Sequence, residues 1–148
     1  MKTLVRSLGI AAGILVLAGV QKASAQIVYP VEFTTSFPFT AGSATVPAGS
    51  YTITPDEDNP ALLLLAGGRT SVFFQTEEKD AQKAPSKTEV VFSRYGDKYV
   101  LKDIWVEGST NGAESLAAEG ERHLAKHGKS TSEQRVAARR KSTTSNDR

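Results

Sequence analysis

Alternating hydrophobic and polar residues predict short β-strands along much of the chain. From Val31 to Thr40 the aromatic and branched residues fall on odd positions and the polar residues on even ones. A repeat of two residues is typical of a strand that buries one face. Pro38 belongs to the polar set and has no N–H to donate, so we expect the strand to bend there or to lie at an edge. Ser50 to Thr54 repeats the alternation.

Gly67-Gly68 predicts a hairpin between a leucine-rich strand and the segment that follows it. If the two glycines form a two-residue loop, Leu63 pairs with Val72 and Leu62 pairs with Phe73.

Gly96-Asp97 predicts a second hairpin, in which Phe92 lies opposite Leu101. The apolar positions of the outgoing strand are odd up to Leu101 and even from Ile104 onward. A bulge at Lys102-Asp103 would restore one buried face and would leave Trp105 pointing the other way.

These elements predict a mainly β protein: an antiparallel sandwich or a small, partly open barrel of about seven short strands. We place this β-domain at residues 26–111. Residues 112–127 can form a weak helix with a thin apolar stripe, interrupted by Gly120. Residues 128–148 contain no aromatic residue, and Val136 is their only large aliphatic residue. This composition predicts a disordered basic tail.

The first twenty-five residues have the three parts of a secretory signal peptide. Lys2 and Arg6 precede an apolar run of about 13 residues, and Ala23-Ser24-Ala25 provides the small residues of a cleavage site. The run is shorter than the ~20 residues that span a bilayer. We therefore predict cleavage after Ala25 and a secreted or periplasmic protein that does not span the membrane.

The charges are unevenly distributed along the chain. The full sequence has 18 basic and 16 acidic residues, but residues 121–148 hold eight basic against three acidic ones, a net charge of +5. This tail could bind an envelope polyanion or a protein partner. It could also remain solvated and fold back weakly on residues 26–120, which hold seven basic and thirteen acidic residues, a net charge of −6. Nucleic acid is disfavoured, because no aromatic residue interleaves the basic ones. The candidate polyanion contacts are Arg135, Arg139, Arg140 and Lys141.

The residues needed for nucleophilic catalysis are missing from the sequence. There is no cysteine and no serine in a Gly-x-Ser-x-Gly motif, and the two histidines lie on the weak helix. We predict no enzymatic activity and no cofactor. Glu119, His123 and His127 are spaced four apart, which places them on one helix face where they could bind zinc or nickel. The stretch lacks features that would hold the imidazoles in place, so we treat metal binding as a minor hypothesis.

Two motifs resemble a family of small secreted bacterial β-proteins of uncharacterised function. They are the Pro-Ala-Gly-x-Tyr turn in Val46 to Ile53 and the Arg-Tyr-Gly-Asp hairpin, ending in Ile-Trp, in Val91 to Trp105. The resemblance implies export and a β fold, and it carries no known activity. The chain departs from the family pattern after Gly112, where a more basic stretch is usual.

The sequence thus favours a secreted, non-enzymatic β-domain with a structural or binding role in the cell envelope. The alternative is a carrier of a small apolar ligand in a barrel interior, although small barrels more often fill their interiors with side chains. The side chains that motivate it are Phe33, Phe37, Phe39, Leu62 to Leu65, Phe73, Phe74, Phe92 and Trp105.

Overall fold

The computed structural model describes Ile27 and residues 29–116, 119–128 and 132–142. The predicted signal peptide lies outside the described residues. The described part contains ten strands and one helix: β1 (Val31–Thr35), β2 (Phe39–Ala41), β3 (Ala44–Val46), β4 (Gly49–Pro55), β5 (Leu62–Gly67), β6 (Thr70–Asp80), β7 (Glu89–Tyr95), β8 (Lys98–Trp105), β9 (Asn111–Ser115), α1 (Glu119–His127) and β10 (Ser132–Arg140).

Eight of the strands form a closed antiparallel barrel, which confirms the predicted mainly β class. Of the two architectures that the sequence left open, the structure has the barrel, and it is closed. The order around the barrel is β8-β7-β10-β1-β4-β5-β6-β9, and pairing of β9 with β8 closes it. Closure removes the exposed sheet edges that a partly open barrel would keep.

The remaining two strands form a short hairpin beside the seam of the barrel. Pro38 separates β1 from β2, as the sequence predicted, and β2 pairs in parallel with β8 through Thr40 and Val100. At the β2–β3 turn, a Cβ on Gly42 would lie 3.3 Å from Cβ of Phe74 on β6. The hairpin therefore reaches from β8 toward β6, next to the short β9.

The interior of the barrel is filled by aromatic and aliphatic side chains. Phe37 stacks on Tyr99 with ring centroids 4.0 Å apart, and Phe39 meets Phe92 edge-on at 5.0 Å. Tyr51 donates its hydroxyl to the carbonyl of Pro47 at 2.6 Å. The alternating residues of β1 and β4 point inward, as their pattern predicted: Val31, Phe33 and Ile53 are all buried. On β5, Leu63 and Leu65 point inward, whereas Leu62 and Leu64 are only partly buried.

The register of the first hairpin differs from the prediction. Gly67 is the last residue of β5 and pairs with Thr70, so that Leu65 faces Val72 and Gly68-Arg69 forms the loop. The reason is that β4 packs tightly on Gly67, where a Cβ would lie 2.3 Å from the carbonyl oxygen of Ser50. Gly68 is the turn glycine, with φ of +57°.

The second hairpin is as predicted, including its bulge. Phe92 faces Leu101, and the register then shifts so that Val91 faces Asp103. Lys102 is the extra residue. The bulge keeps Leu101 and Ile104 in the core and turns Trp105 to the outer face, outside the core cluster.

The C-terminal region is the main correction to the sequence analysis. Residues predicted to be a disordered tail form β10, which lies between β7 and β1 in the barrel wall. The segment assigned to a weak helix begins with β9 instead, and α1 covers only Glu119–His127. Residues 129–131 and 143–148 lie outside the described residues. In the described chain, α1 is too short and too polar to cross a membrane.

Candidate functional site

A charged cleft lies on the outer surface of the barrel, where β6, β8, β7 and β10 face the connection that joins β6 to β7. Residues 81–87 form one wall, and the cleft has a volume of about 590 Å³. Backbone bonds hold this wall: Ala81 N donates to Thr110 O at 2.7 Å, and Gly108 N donates to Pro85 O at 3.1 Å. The other lining residues are Lys79, Glu89, Lys102, Asp103, Trp105, Glu133 and Arg135.

Lys79 joins two carboxylates at one end of the charged cleft. Its Nζ lies 3.0 Å from Oδ1 of Asp103 and 3.1 Å from Oε1 of Glu114. Asp103 and Glu114 face each other across β8 and β9, so Lys79 balances two adjacent negative charges. Burial works against the charge of Lys79, but hydrogen bonds and attraction from both carboxylates prevail and raise its pKa.

The Asp103 carboxylate is the more deeply buried partner of this pair. Its side chain is 7% exposed, against 31% for Lys79. Burial raises the pKa of Asp103 above its ordinary value, and this effect outweighs the opposing hydrogen bond and charge of Lys79.

A second network crosses from β10 to β7 and β8. Arg135 contacts the buried carboxylate of Glu89 and also Glu133, whose other partner is Lys102. The hydrogen bond from Lys102 is the main reason that the pKa of Glu133 is lowered. The hydrogen bond with Glu89 raises the pKa of Arg135. Ion pairs at the base of the cleft therefore connect β10 with β7 and β8, which lie far from it in the sequence.

Lys83 and Lys87 give the charged cleft a surplus of positive charge. Both are exposed on the 81–87 wall, and neither forms an ion pair with any residue that the structure describes. Five basic residues line the cleft against three acidic ones. An anion entering the cleft would therefore meet two ammonium groups that do not have to break an existing pair.

Trp105 forms part of the floor of the cleft because Gly112 leaves room for its ring. A Cβ on Gly112 would lie 2.5 Å from Cε3 of Trp105. The indole thus lies directly against the β9 backbone and remains 9% exposed. Glu89 is its cross-strand neighbour on β7, which places an apolar ring beside a buried carboxylate.

The raised pKa of Asp103 predicts how this group affects stability as pH changes. Between its ordinary value of 3.8 and the raised value, the folded state binds more protons than the unfolded state. The stability contributed by Asp103 therefore decreases as pH rises through this window. We expect the difference in free energy of unfolding between wild type and Asp103→Asn to fall from pH 3.5 to pH 6 in urea titrations.

A matched variant removes the general effect of losing one carboxylate. Glu57→Gln makes the same change on the exposed loop before β5, outside the cleft, and its pH curve is subtracted. If the difference in free energy of unfolding between wild type and Asp103→Asn instead grows with pH, attraction to Lys79 rather than burial determines the direction of the pKa shift of Asp103.

The four basic residues predicted to contact a polyanion do not form one cluster. Arg135 lines the charged cleft, whereas Arg139 and Lys141 both pair with Glu32 on β1, at 3.0 and 3.7 Å. The Arg140 guanidinium lies 4.9 Å from the ring centroid of Tyr29. Whether these residues bind a polyanion remains a prediction.

A second groove of about 550 Å³ crosses β10, β1, β4 and β5 and includes Arg139. Arg139, the only cationic side chain among the described residues that line it, is paired with Glu32, and the hydroxyls of Thr34 and Ser50 bond to each other at 2.8 Å. We therefore consider the charged cleft the better candidate site.

The predicted metal ligands lie on α1. The rings of His123 and His127 are stacked with centroids 5.9 Å apart, and both residues are exposed. Glu119 begins the helix one turn earlier. Among the described residues, no group of three or more histidine and carboxylate side chains is placed to hold a metal ion. Metal binding by the two histidines stays a prediction.

The apolar side chains that motivated a ligand carrier are divided between the two faces of the barrel wall. Phe33, Phe37, Phe39 and Phe92 pack against one another inside. Phe73 is 55% exposed on the outer face, and Trp105 lines the charged cleft.

Most residues of the charged cleft were not recognised in the sequence. The sequence placed Asp103 at the bulge and indicated no partner on β6, yet its carboxylate pairs with Lys79. Glu89 could have been noticed, because it is a charged residue that directly precedes the apolar run Val90-Val91-Phe92. The lysines of the 81–87 wall carry no such signal.

Comparisons of the chain with protein-family models, with characterised proteins and with solved structures found no match.

Proposed function

We propose that the protein is an exported, non-enzymatic binding domain of the cell envelope, and that the charged cleft binds an anionic ligand. The proposal rests on Lys83 and Lys87, which lie on the wall of a cleft with surplus positive charge and have no ion-pair partner in the described part of the chain. Unpaired cations in a concave site attract anions and raise their local concentration.

The surroundings of the lysines support a binding role. The volume of the cleft lies within the ~300–1,000 Å³ that is common for small-molecule sites. Its floor belongs to a closed barrel, so Trp105, Asp103 and Glu89 are held by a continuous sheet.

Export is supported by the signal-peptide pattern of residues 1–25. The apolar-carrier alternative has less support, because the aromatic rings of the interior contact one another.

Heparin, a highly charged polyanion, serves as the probe of anion binding. Trp105 is the only tryptophan in the chain, so its fluorescence reports on the cleft. We expect a saturable change that weakens with added salt, since salt screens exposed charges. In Lys83→Glu/Lys87→Glu we expect the affinity to fall by about tenfold or more, a loss of about 1.4 kcal/mol in binding free energy.

A charge-matched double variant provides the control. Arg69→Glu/Lys98→Glu makes the same change of four charge units at the β5–β6 and β7–β8 turns, outside the cleft. It should retain most of the affinity. Equal losses in the two double variants would mean that heparin responds to net charge alone, and the cleft would not be its site.

A further inference from the structure

The charged cleft has hydrogen-bond acceptors on its floor as well as Lys83 and Lys87 on its wall. These acceptors restrict the class of ligand that fits. The side chains of Glu89 and Asp103 are each 7% exposed and line the cleft. A carboxylate offers about four acceptor positions. Glu89 receives a bond from Arg135, and Asp103 receives bonds of 3.0 and 3.3 Å from Lys79. Acceptor capacity therefore remains for a ligand that donates hydrogen bonds.

A simple anion cannot use these acceptors. Fully ionised phosphate, sulfate and carboxylate groups accept hydrogen bonds and do not donate them, and the negative charge of Glu89 and Asp103 would repel them. An anion at Lys83 and Lys87 therefore needs hydroxyl or amine groups that extend toward the floor. Hydroxyls satisfy this requirement without adding a positive charge.

Trp105 adds an apolar surface between these polar groups. One part of its indole lies against Gly112, and the residue, 9% exposed, contributes to the lining of the cleft. An indole favours ligands that combine an apolar face with polar edges. A pyranose ring has this character, since its C–H groups form an apolar face and its hydroxyls surround it.

We propose that the ligand of the charged cleft is an acidic saccharide, such as a segment of a glycan that contains uronic acid. Its carboxylate lies at Lys83 and Lys87, its hydroxyls donate to Glu89 and Asp103, and the C–H face of one ring packs on Trp105. This inference rests on the proposed function, because it names the class of anion that the same cleft binds. Single-stranded nucleic acid fits less well, because each nucleotide has fewer hydroxyls than a pyranose ring to donate to Glu89 and Asp103.

The test compares four probes by isothermal titration calorimetry with the full mature chain. Oligogalacturonate has both carboxylates and hydroxyls, polyglutamate of equal charge lacks the sugar, a neutral galactose oligosaccharide lacks the charge, and an oligonucleotide replaces both. We expect oligogalacturonate to bind at least tenfold more tightly than each of the other three. Glu89→Gln should reduce that preference, because a neutral amide is a weaker acceptor for hydroxyls.

The outcomes separate the two proposals. If polyglutamate or the oligonucleotide binds as tightly as oligogalacturonate, the acidic-saccharide inference is wrong and anion binding in the cleft survives. If no anionic probe binds, including heparin, both proposals fail. The comparison among probes uses the wild-type chain, so the result stands even if Glu89→Gln does not fold.

Discussion

A chain that ends at Gly128 is expected to lose most of its stability. This truncation removes β10, which pairs with β7 from Ser132 to Ala137 and with β1 from Ala138 to Arg140. Without β10 the barrel opens, and two long strand edges lose their hydrogen-bond partners. We expect the free energy of unfolding to drop by about 5 kcal/mol or more, which is the lower end of the total stability of a single domain.

Two separate losses add up to this effect. Val136 and Ala138 pack against the core, and their removal uncovers side chains of β1 and β7 that are buried in the complete barrel. Exposed apolar surface costs about 25 cal/mol per Å². The truncation also removes Arg135, the partner of the buried Glu89. Glu89 then lacks the cation that balances its charge in the complete barrel, which destabilises the shortened chain further.

A chain that ends at Ser142 serves as the control, because it keeps β10 and loses only the last six residues. Urea unfolding of the two chains, followed by circular dichroism, measures the difference. If both chains unfold at the same urea concentration, residues 129–142 do not stabilise the barrel, as the composition of the tail had predicted.

The parts of the fold that were predictable depend on local signals. The alternation in β1 and β4 and the turn at Gly96-Asp97 can each be recognised from a stretch of fewer than ten residues. The bulge at Lys102 was also local, because the apolar positions of a single strand change parity there. None of these features needs knowledge of which strands become neighbours.

The strands that were missed have small residues at some positions where the neighbouring strand has a large one. On β10, Ala138 faces Phe33. On β9, Gly112 lies beneath the Trp105 ring. A strand that pairs with aromatic neighbours has little room for large side chains of its own, so its composition alone resembles that of a disordered segment. This relationship becomes visible only when the strand order is known.

The charged cleft was hidden for the same reason. Lys79, Asp103 and Arg135 come from β6, β8 and β10, which are separated by many residues in sequence. Their pairing requires that β9 lie between β6 and β8, and that β10 lie beside β7. The net charge of the C-terminal region indicated polyanion binding. The structure distributes those charges among several partners on different faces of the barrel.

Replacement of Gly112, which lies beneath the Trp105 ring, should disturb both the barrel and the charged cleft. In Gly112→Ala the new Cβ would lie 2.5 and 2.7 Å from Cε3 and Cζ3 of Trp105, and 2.9 Å from the carbonyl oxygen of Ile104. Relief of the last contact would move β9 away from β8 at the seam that closes the barrel. Overpacking of this kind typically costs about 1–3 kcal/mol, and we expect a loss at the upper end of that range in chemical unfolding.

The fluorescence of Trp105 provides a second readout of the same change. Displacement of the indole from the β9 backbone should expose it, shift its emission to longer wavelength and weaken heparin binding in the charged cleft. Gly128→Ala is the matched control, because a Cβ at that position would have no heavy atom of the described residues within 4 Å. It makes the same change in backbone freedom of the unfolded chain. Equal stability and unchanged emission in both variants would show that β9 tolerates a side chain under the ring. Gly112 would then not be the residue that sets the position of Trp105 in the cleft.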